Sequence, residues 1–530
     1  MRRDGVDGSI GPGPEVNGAQ ALMRTLVAGG VDVCFTNPGT SEMQFVASLD
    51  SVPDMRPVLG LFEGVVTGAA DGYGRVAERP AATLLHLGPG LGNGIANLHN
   101  ARRARSPIVN IVGDHATYHR RHDPPLASDI ESLARPVSRW YRAPTTPEAL
   151  VADSVDAVSG AYGPPGGVAT LVVAADLSWE DSPGPGSPGP PPCARAATEE
   201  AVNAAAKALR SGEPCALLIG GGAVRARGLV AASRVAETAG AKLLAETFPA
   251  RIERGAGLPA VDRLGYFAEF VVAQLEGIRH LVLAGASAPV SFFAYPNVPG
   301  YLVPEGCELH VVADEGDDAP GALEALADAL DAPVQAAVSQ SAGRPDRPTG
   351  ALTAQTMAAA IGALLPEGAI VSDEGNTAGI FVSGATAGAP RHDWLCLTGG
   401  AIGQGMPVAT GAAVAAPDRQ VISLEADGSA MYTLQSLWTQ ARESLDVATV
   451  IVNNGTYAIL EIELGRVGAS DAGPRAHSML EIGRPDLDFV ALASGMGVPA
   501  TRATTAEEFT DQLERAIEEP GPALVEAVLR

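Results

Sequence analysis

The stretch VISLEADGSAMYTLQSLWTQARESLDVATVIVNNGTYAIL, residues 421–460, decides the fold. Its first six residues form a short apolar run rich in β-branched side chains, which reads as a buried strand. Asp427-Gly428-Ser429 ends that run and opens a helical pattern through Trp438 and Ala441. VATVIV is then a second buried strand, closed by Asn453-Asn454-Gly455. A strand–helix–strand unit of this kind predicts two parallel strands whose carboxyl ends lie side by side, the usual ligand edge of an open α/β sheet. Asp427 and Asn454 stand at those ends. Taken separately, an Asp-Gly and an Asn-Asn-Gly are ordinary turns; their joint placement carries the weight. A carboxylate and an amide oxygen converging there make a hard-cation site, best suited to Mg²⁺ carrying a phosphate. Ser429 starts the helix, so its N–H and hydroxyl can face that phosphate.

Outward from this unit the same alternation recurs. Further strands are expected at 369–372, 394–397 and 523–528, and a Pro/Gly-rich linker, SPGPGSPGPPP at 182–192, marks the clearest domain boundary. Before it, strands at 31–36, 57–61, 81–87 and 108–113 alternate with helices, which predicts a doubly wound α/β domain. Between that linker and a second polar one at 335–349 lie strands at 215–219, 242–245, 280–284 and 309–312. The expected organisation is a tail at 1–15, domains at 16–181, 197–335 and 350–530, and linkers at 182–196 and 336–349. The fold class is α/β, with three doubly wound parallel-sheet domains.

A chain of 530 residues with a formal charge of −25 argues against a nucleic-acid partner and an anionic membrane surface. No run approaches 18 apolar residues, and the first 15 residues lack the apolar core of a secretory signal. Cys34, Cys193, Cys215, Cys307 and Cys396 are scattered and odd in number, which reads as reduced thiols in a cytoplasm.

In the first domain, Glu63 follows a strand among apolar neighbours, VLGLF before and GVVTGAA after, so it is expected to be buried. His86 ends a strand and precedes the glycine-rich turn GPGLGNG, 88–94. That turn is also a loose dinucleotide pattern, but no acidic residue follows at the expected strand end, so NAD is not expected. His115, His119 and His122 have the i, i+4, i+7 spacing of one helix face, yet Asp123-Pro124-Pro125 breaks the segment and a polar loop is expected. Gly220-Gly221-Gly222 follows a central-domain strand and reads as a structural turn; no FAD is expected.

Ala426-Asp427-Gly428, 24 residues, and then Asn453-Asn454 resemble the signature of thiamine diphosphate-dependent enzymes, with Ala426 in place of the usual first glycine. The words GSAMYTLQSLWT and NNGTYAIL are similar to benzoylformate decarboxylase. The N-terminal third and LDFVALASGMGV, 487–498, are similar to acetolactate synthase large-subunit homologues. The resemblance implies metal ligands Asp427, Asn454 and the Thr456 backbone carbonyl, with Gly428, Ser429 and Asn376 near the diphosphate. It makes Glu63 the carboxyl on the aminopyrimidine ring and His86 a proton donor or acceptor near the substrate carboxylate. The Gly400 carbonyl would accept from the ring's amino group, and Ile402 would wedge the cofactor into its bent form. Thr40 matches a serine that binds the substrate carboxylate, and His115 and His119 are secondary substrate-facing candidates. A second active-site histidine of benzoylformate decarboxylase would fall near Phe293-Ala294, where this chain has none.

The implied activity is decarboxylation of a 2-oxo acid, pyruvate first, followed by carboligation to a second carbonyl compound in the manner of acetolactate synthase. Plain 2-oxo acid decarboxylation and a catalytically silent cofactor-binding subunit are the alternatives. Thiamine diphosphate and Mg²⁺ are the implied cofactors. A homodimer is the implied minimum and a homotetramer the fuller expectation, since in this family the cofactor lies between two chains.

Overall fold

The computed structural model describes residues 16–335, 339–469 and 471–529. The tail expected at 1–15 and positions 336–338 of the second linker lie outside the described residues.

Three sheets carry the chain. The first has six parallel strands in the spatial order Arg56–Leu59, Val33–Asn37, Ala81–Leu85, Ile108–Asp114, Val168–Ala174 and Trp140–Arg142. The second has five parallel strands, Asp262–Arg263, Lys242–Ala245, Cys215–Ile219, His280–Ala284 and Glu308–Ala313. The third runs Ala500–Ala503, Ala523–Val528, Val447–Asn453, Val421–Ala426, Ile370–Glu374, His392–Cys396 and Ile252–Arg254. The six strands from Ala500–Ala503 to His392–Cys396 are parallel because helices return the chain over the sheet faces. Ile252–Arg254, from the chain segment of the central sheet, pairs antiparallel with His392–Cys396 and closes that edge. Nothing in the periodicity of such a three-residue strand announces it.

The first and third sheets are joined by a helix pair. Gly405–Ala415 lies against Glu63–Ala77 with backbones in contact: a Cβ at Gly411 would sit 1.8 Å from the Ala69 carbonyl oxygen. Beside this crossing the buried Arg75 guanidinium forks onto Asp71 at 2.7 and 2.6 Å. It also donates to the carbonyls of Cys396 at 2.7 Å and Ala250 at 3.2 Å, and to Thr398 Oγ1 at 3.0 Å. One cation therefore ties together segments of all three sheets. Buried charge is tolerated there because every donor direction named is matched.

Two local readings change. The glycine-rich 88–94 run is the first part of a long helix, Leu87–Ala104, and not a turn before one. Pro89 is tolerated because it lies in the first turn, where its missing N–H has no helical partner. The helical pattern after Asp427 is two helices, Asp427–Thr433 and Ser436–Glu443. The break lets Leu434 and Leu437 enter one apolar cluster with Met406 and Ile451.

Candidate active site

Val421–Ala426 and Val447–Asn453 pair in parallel with Ala426 opposite Val452, so Asp427 and Asn454 emerge together at one sheet edge. Asp427 Oδ2 accepts from the backbone N–H groups of Asn454 at 3.1 Å and Gly455 at 2.7 Å; Oδ1 accepts from Gly428 at 2.8 Å. Asn454 Oδ1 accepts from the Thr456 N–H at 3.0 Å. Carboxylate, side-chain amide and the Thr456 backbone are thus linked in one run of contacts. Their hard oxygen donors fit Mg²⁺. Asn376 Nδ2 donates to Ser429 Oγ at 3.0 Å, joining the starts of helices Asn376–Ala385 and Asp427–Thr433 beside the cradle. Asn453 points elsewhere: its Nδ2 donates to Glu526 Oε1 at 2.7 Å, inside the sheet.

Glu63 opens helix Glu63–Ala77 and is only 7% exposed. Asn37 Nδ2 donates to its Oε1 at 3.3 Å, and Asn93 Nδ2 to its Oε2 at 3.0 Å. Two amide donors offset the cost of burying the carboxylate. His86 caps helix Leu87–Ala104, with Nδ1 2.7 Å from Glu42 Oε2 and 3.2 Å from Ser41 Oγ. Glu42 is fully buried and also accepts from the Gly39 N–H and the Ser41 hydroxyl, each at 2.9 Å. With Nδ1 donating to Glu42, the proton sits on that nitrogen and Nε2 is the ring's acceptor. A Cβ placed at Gly90 would lie 3.4 Å from both Glu63 Oε1 and His86 Cβ, so the two residues flank one point. Directly after His86 the buried Leu87 takes φ +50°, a conformation that costs a leucine on the order of 1–3 kcal/mol and that concentrates at functional sites.

The 399–405 loop is held from three directions. Asn100 Nδ2 donates to the Ala401 carbonyl at 2.7 Å, and Asn97 Nδ2 bridges the carbonyls of Gly64 at 2.8 Å and Gly403 at 3.2 Å. Underneath, the buried Glu374 accepts from the N–H groups of Gly403 at 2.7 Å and Gly405 at 2.6 Å. Burial pushes the Glu374 carboxyl up to about 7, against the pull of those N–H groups. Burial, and then the charge of Glu374, push its neighbour Glu425 well above the usual range, so Glu425 keeps its proton. Gly400 takes φ +75°, which favours glycine, and a Cβ there would lie 3.2 Å from the Phe292 ring. Ile402 is half-buried on the same loop.

Phe292 belongs to an aromatic group from the central-sheet segment: its ring centroid is 5.8 Å from that of Phe248, 5.2 Å from Tyr266 and 5.5 Å from Phe293. Arg466 anchors the group to helix Ala458–Arg466, its guanidinium 4.3 Å from the Phe267 centroid and 4.4 Å from that of Tyr295. The segment around 293, singled out by its lack of histidine, is therefore an aromatic wall against Gly400.

The remaining expected residues are placed as follows. Thr40 is exposed at the start of the short turn Thr40–Glu42, and it is the adjacent Ser41 that meets His86. His115, His119 and His122 follow the strand Ile108–Asp114 in a turn and a short 3₁₀ segment. Their rings are 5.8 and 5.7 Å apart in sequence order, and His119 and His122 are exposed. That is the polar loop expected; its His115 Nε2 is buried with no hydrogen-bond partner. Gly220-Gly221-Gly222 ends the strand Cys215–Ile219 as a turn. Residue-by-residue reading passed over Asn37, Ser41, Glu42 and Asn93, whose side chains hold Glu63 and His86. Glu42 carried a signal, being an acidic residue beside a strand-end NPG turn, but its partner lies 44 positions away.

Fold and site together define a thiamine diphosphate-dependent enzyme, and the comparisons agree. Residues 16–133 match the N-terminal TPP-binding domain of thiamine pyrophosphate enzymes, and residues 373–527 match the C-terminal TPP-binding domain. The chain belongs to this family. It is 60% identical to IlvX of Mycobacterium tuberculosis, named provisionally as an acetolactate synthase large subunit, over 97% of this chain and 99% of that one. It is 31% identical to benzoylformate decarboxylase of Pseudomonas aeruginosa over 94% of this chain and 96% of that one. Among solved structures, a thiamine diphosphate-dependent 4-hydroxybenzoylformate decarboxylase of Rhodococcus jostii RHA1 superposes with TM-score 0.84 at 26% identity, over 97% of this chain and 99% of that one. Among the described residues no helix is long and apolar enough to cross a membrane.

Proposed function

We propose that this chain decarboxylates a 2-oxo acid, pyruvate or a close homologue, and joins the remaining acyl unit to a second carbonyl compound. Thiamine diphosphate, when bound, supplies the electron sink that lets the carboxylate leave as CO₂. Asp427, Asn454 and the Thr456 carbonyl would hold Mg²⁺, while Ser429, Gly428 and Asn376 would position the diphosphate. The Glu63 carboxyl, its orientation set by Asn37 and Asn93, would meet the pyrimidine ring and exchange a proton with it. The Gly400 carbonyl would help hold the ring, and Ile402 would hold the cofactor in its reactive arrangement, which is a proximity effect. His86, oriented by Glu42, moves a proton at Nε2. Thr40 would face the substrate carboxylate, with His115 and His119 as secondary substrate-facing groups.

The observation that carries ligation over simple decarboxylation is Phe292 against Gly400. An apolar ring there offers no proton, which favours capture by a second carbonyl over protonation, and its 44% exposure leaves it to be covered by the second chain. The second reading is decarboxylation of an aryl 2-oxo acid with release of the aldehyde, and the 31% identity to benzoylformate decarboxylase supports it. A second chain completes the site in this account. Ile380, Phe381, Met431, Tyr432, Leu460 and Ile462, on the helices that start at or beside the cradle, are all exposed apolar side chains awaiting cover. We place the enzyme in the cytoplasm as a homodimer or homotetramer.

The test is product analysis by mass spectrometry. Purified protein, thiamine diphosphate and Mg²⁺ are incubated with a panel of 2-oxo acids, with and without aldehydes. Acyloin or 2-hydroxy-2-alkyl-3-oxo acid products support ligation; aldehyde alone from every acid would leave the second reading. Thermal stabilisation by cofactor with no turnover would indicate a silent partner subunit.

A further inference from the structure

We propose a zinc site on the central sheet, formed by His280, Glu308 and His310 and remote from the thiamine diphosphate cradle. His280 and Glu308 are the first residues of adjacent parallel strands, paired in register, and His310 lies opposite Val282. Residues two apart on a strand share a face, so all three side chains project together at the amino end of the pair. The glycine turn after Cys215–Ile219 marks the opposite, carboxyl end of the sheet.

The geometry is that of ligands. His280 Nδ1 and His310 Nε2 are 3.1 Å apart. Two imidazole nitrogens at about 2.0–2.1 Å from one zinc ion would be separated by roughly 2.9 Å at a right angle and about 3.4 Å at the tetrahedral angle. Glu308 Oε2 stands 3.8 Å from the first nitrogen and 4.0 Å from the second, on a side chain 73% exposed, so a rotation brings it into range. The ring nitrogen of His280 away from the site, Nε2, lies 3.0 Å from Glu213 Oε2. Metal-binding histidines characteristically donate their other N–H to a carboxylate, which fixes the tautomer and turns the lone pair toward the ion. Two imidazoles with one carboxylate select a borderline divalent ion such as Zn²⁺ over Mg²⁺ or Ca²⁺. Without the ion, the His310 N–H donates to His280 Nδ1; with it, that proton resides on His310 Nδ1. Glu308–Ala313 is the edge strand of its sheet, and the ion would staple it to its neighbour.

Full-length protein stripped with chelator and dialysed is titrated with Zn²⁺ by calorimetry and with Co²⁺ by visible absorption, in the presence of thiamine diphosphate and Mg²⁺. The expected result is one Zn²⁺ per chain, intense d–d bands for Co²⁺, and a rise in melting temperature that grows with free Zn²⁺. His310→Ala and Glu308→Gln abolish or sharply weaken that binding, Glu213→Gln weakens it by about 10-fold, and Asp427→Asn leaves it intact. Stoichiometric binding that persists in both ligand variants, or none at micromolar Zn²⁺, overturns the proposal and leaves an ordinary histidine pair.

Discussion

Glu42 Oε2 lies 2.7 Å from His86 Nδ1, and the glutamate carrying it is fully buried. Such a carboxylate fixes both the rotation of the imidazole and the nitrogen that bears the proton. Glu42→Gln removes a charge-assisted contact of about 1.5–3 kcal/mol. Turnover should fall roughly 10- to 100-fold while cofactor-induced thermal stabilisation is kept. Steady-state kinetics and thermal shift measured side by side check this; unchanged turnover would make the pair structural.

Ile402→Ala should leave the melting temperature nearly unchanged, because the side chain is only half-buried and lies outside the main apolar clusters. It should lower kcat by at least about tenfold, the cost of roughly 1.4 kcal/mol in positioning. A circular dichroism melt and initial rates decide it, and a parallel loss of stability would point to packing instead.

Asp427→Asn weakens the hard-cation site and also the acceptance of the Gly455 N–H at 2.7 Å. The stabilisation that thiamine diphosphate confers in the presence of Mg²⁺ should disappear in this variant, and chelator treatment of the native protein should reproduce the effect. Restoration by Mg²⁺ of the native protein alone would complete the test.

Glu374 and Glu425 give a pH signature. Both carboxyls titrate higher in the folded chain than in the unfolded one, Glu374 at about 7 against an ordinary 4.5. Their contribution to stability is therefore full below the unfolded value and is lost as pH rises, for Glu374 through about 7. Glu425→Gln keeps a neutral donor beside Glu374. Its melting temperature should fall less than that of the native protein between about pH 6 and 8.5, and an equal slope would refute the reading that Glu425 keeps its proton beside Glu374.

Much of this was legible in the sequence where the pattern is local. The strand ends bearing Asp427 and Asn454 were readable because apolar runs and polar turns alternate there, and Glu63 was readable because a carboxylate among apolar neighbours must be buried. The alternation also exposed the three sheets. What was hidden is non-local. Asn37 and Asn93 lie 26 and 30 positions from the carboxylate they satisfy. Ile252–Arg254 joins a sheet that belongs mainly to residues beyond 369, through a pairing that no periodicity encodes. The glycine run at 88–94 misleads because packing against the Glu63 helix overrides the low helix propensity of glycine.

The most direct measurement is CO₂ release from a 2-oxo acid by the native protein and by Glu63→Gln, with cofactor binding followed in the same samples. Native protein should release CO₂ and the variant should lose nearly all of it, while thiamine diphosphate and Mg²⁺ still raise the melting temperature of both. Undiminished CO₂ release from Glu63→Gln would contradict the account.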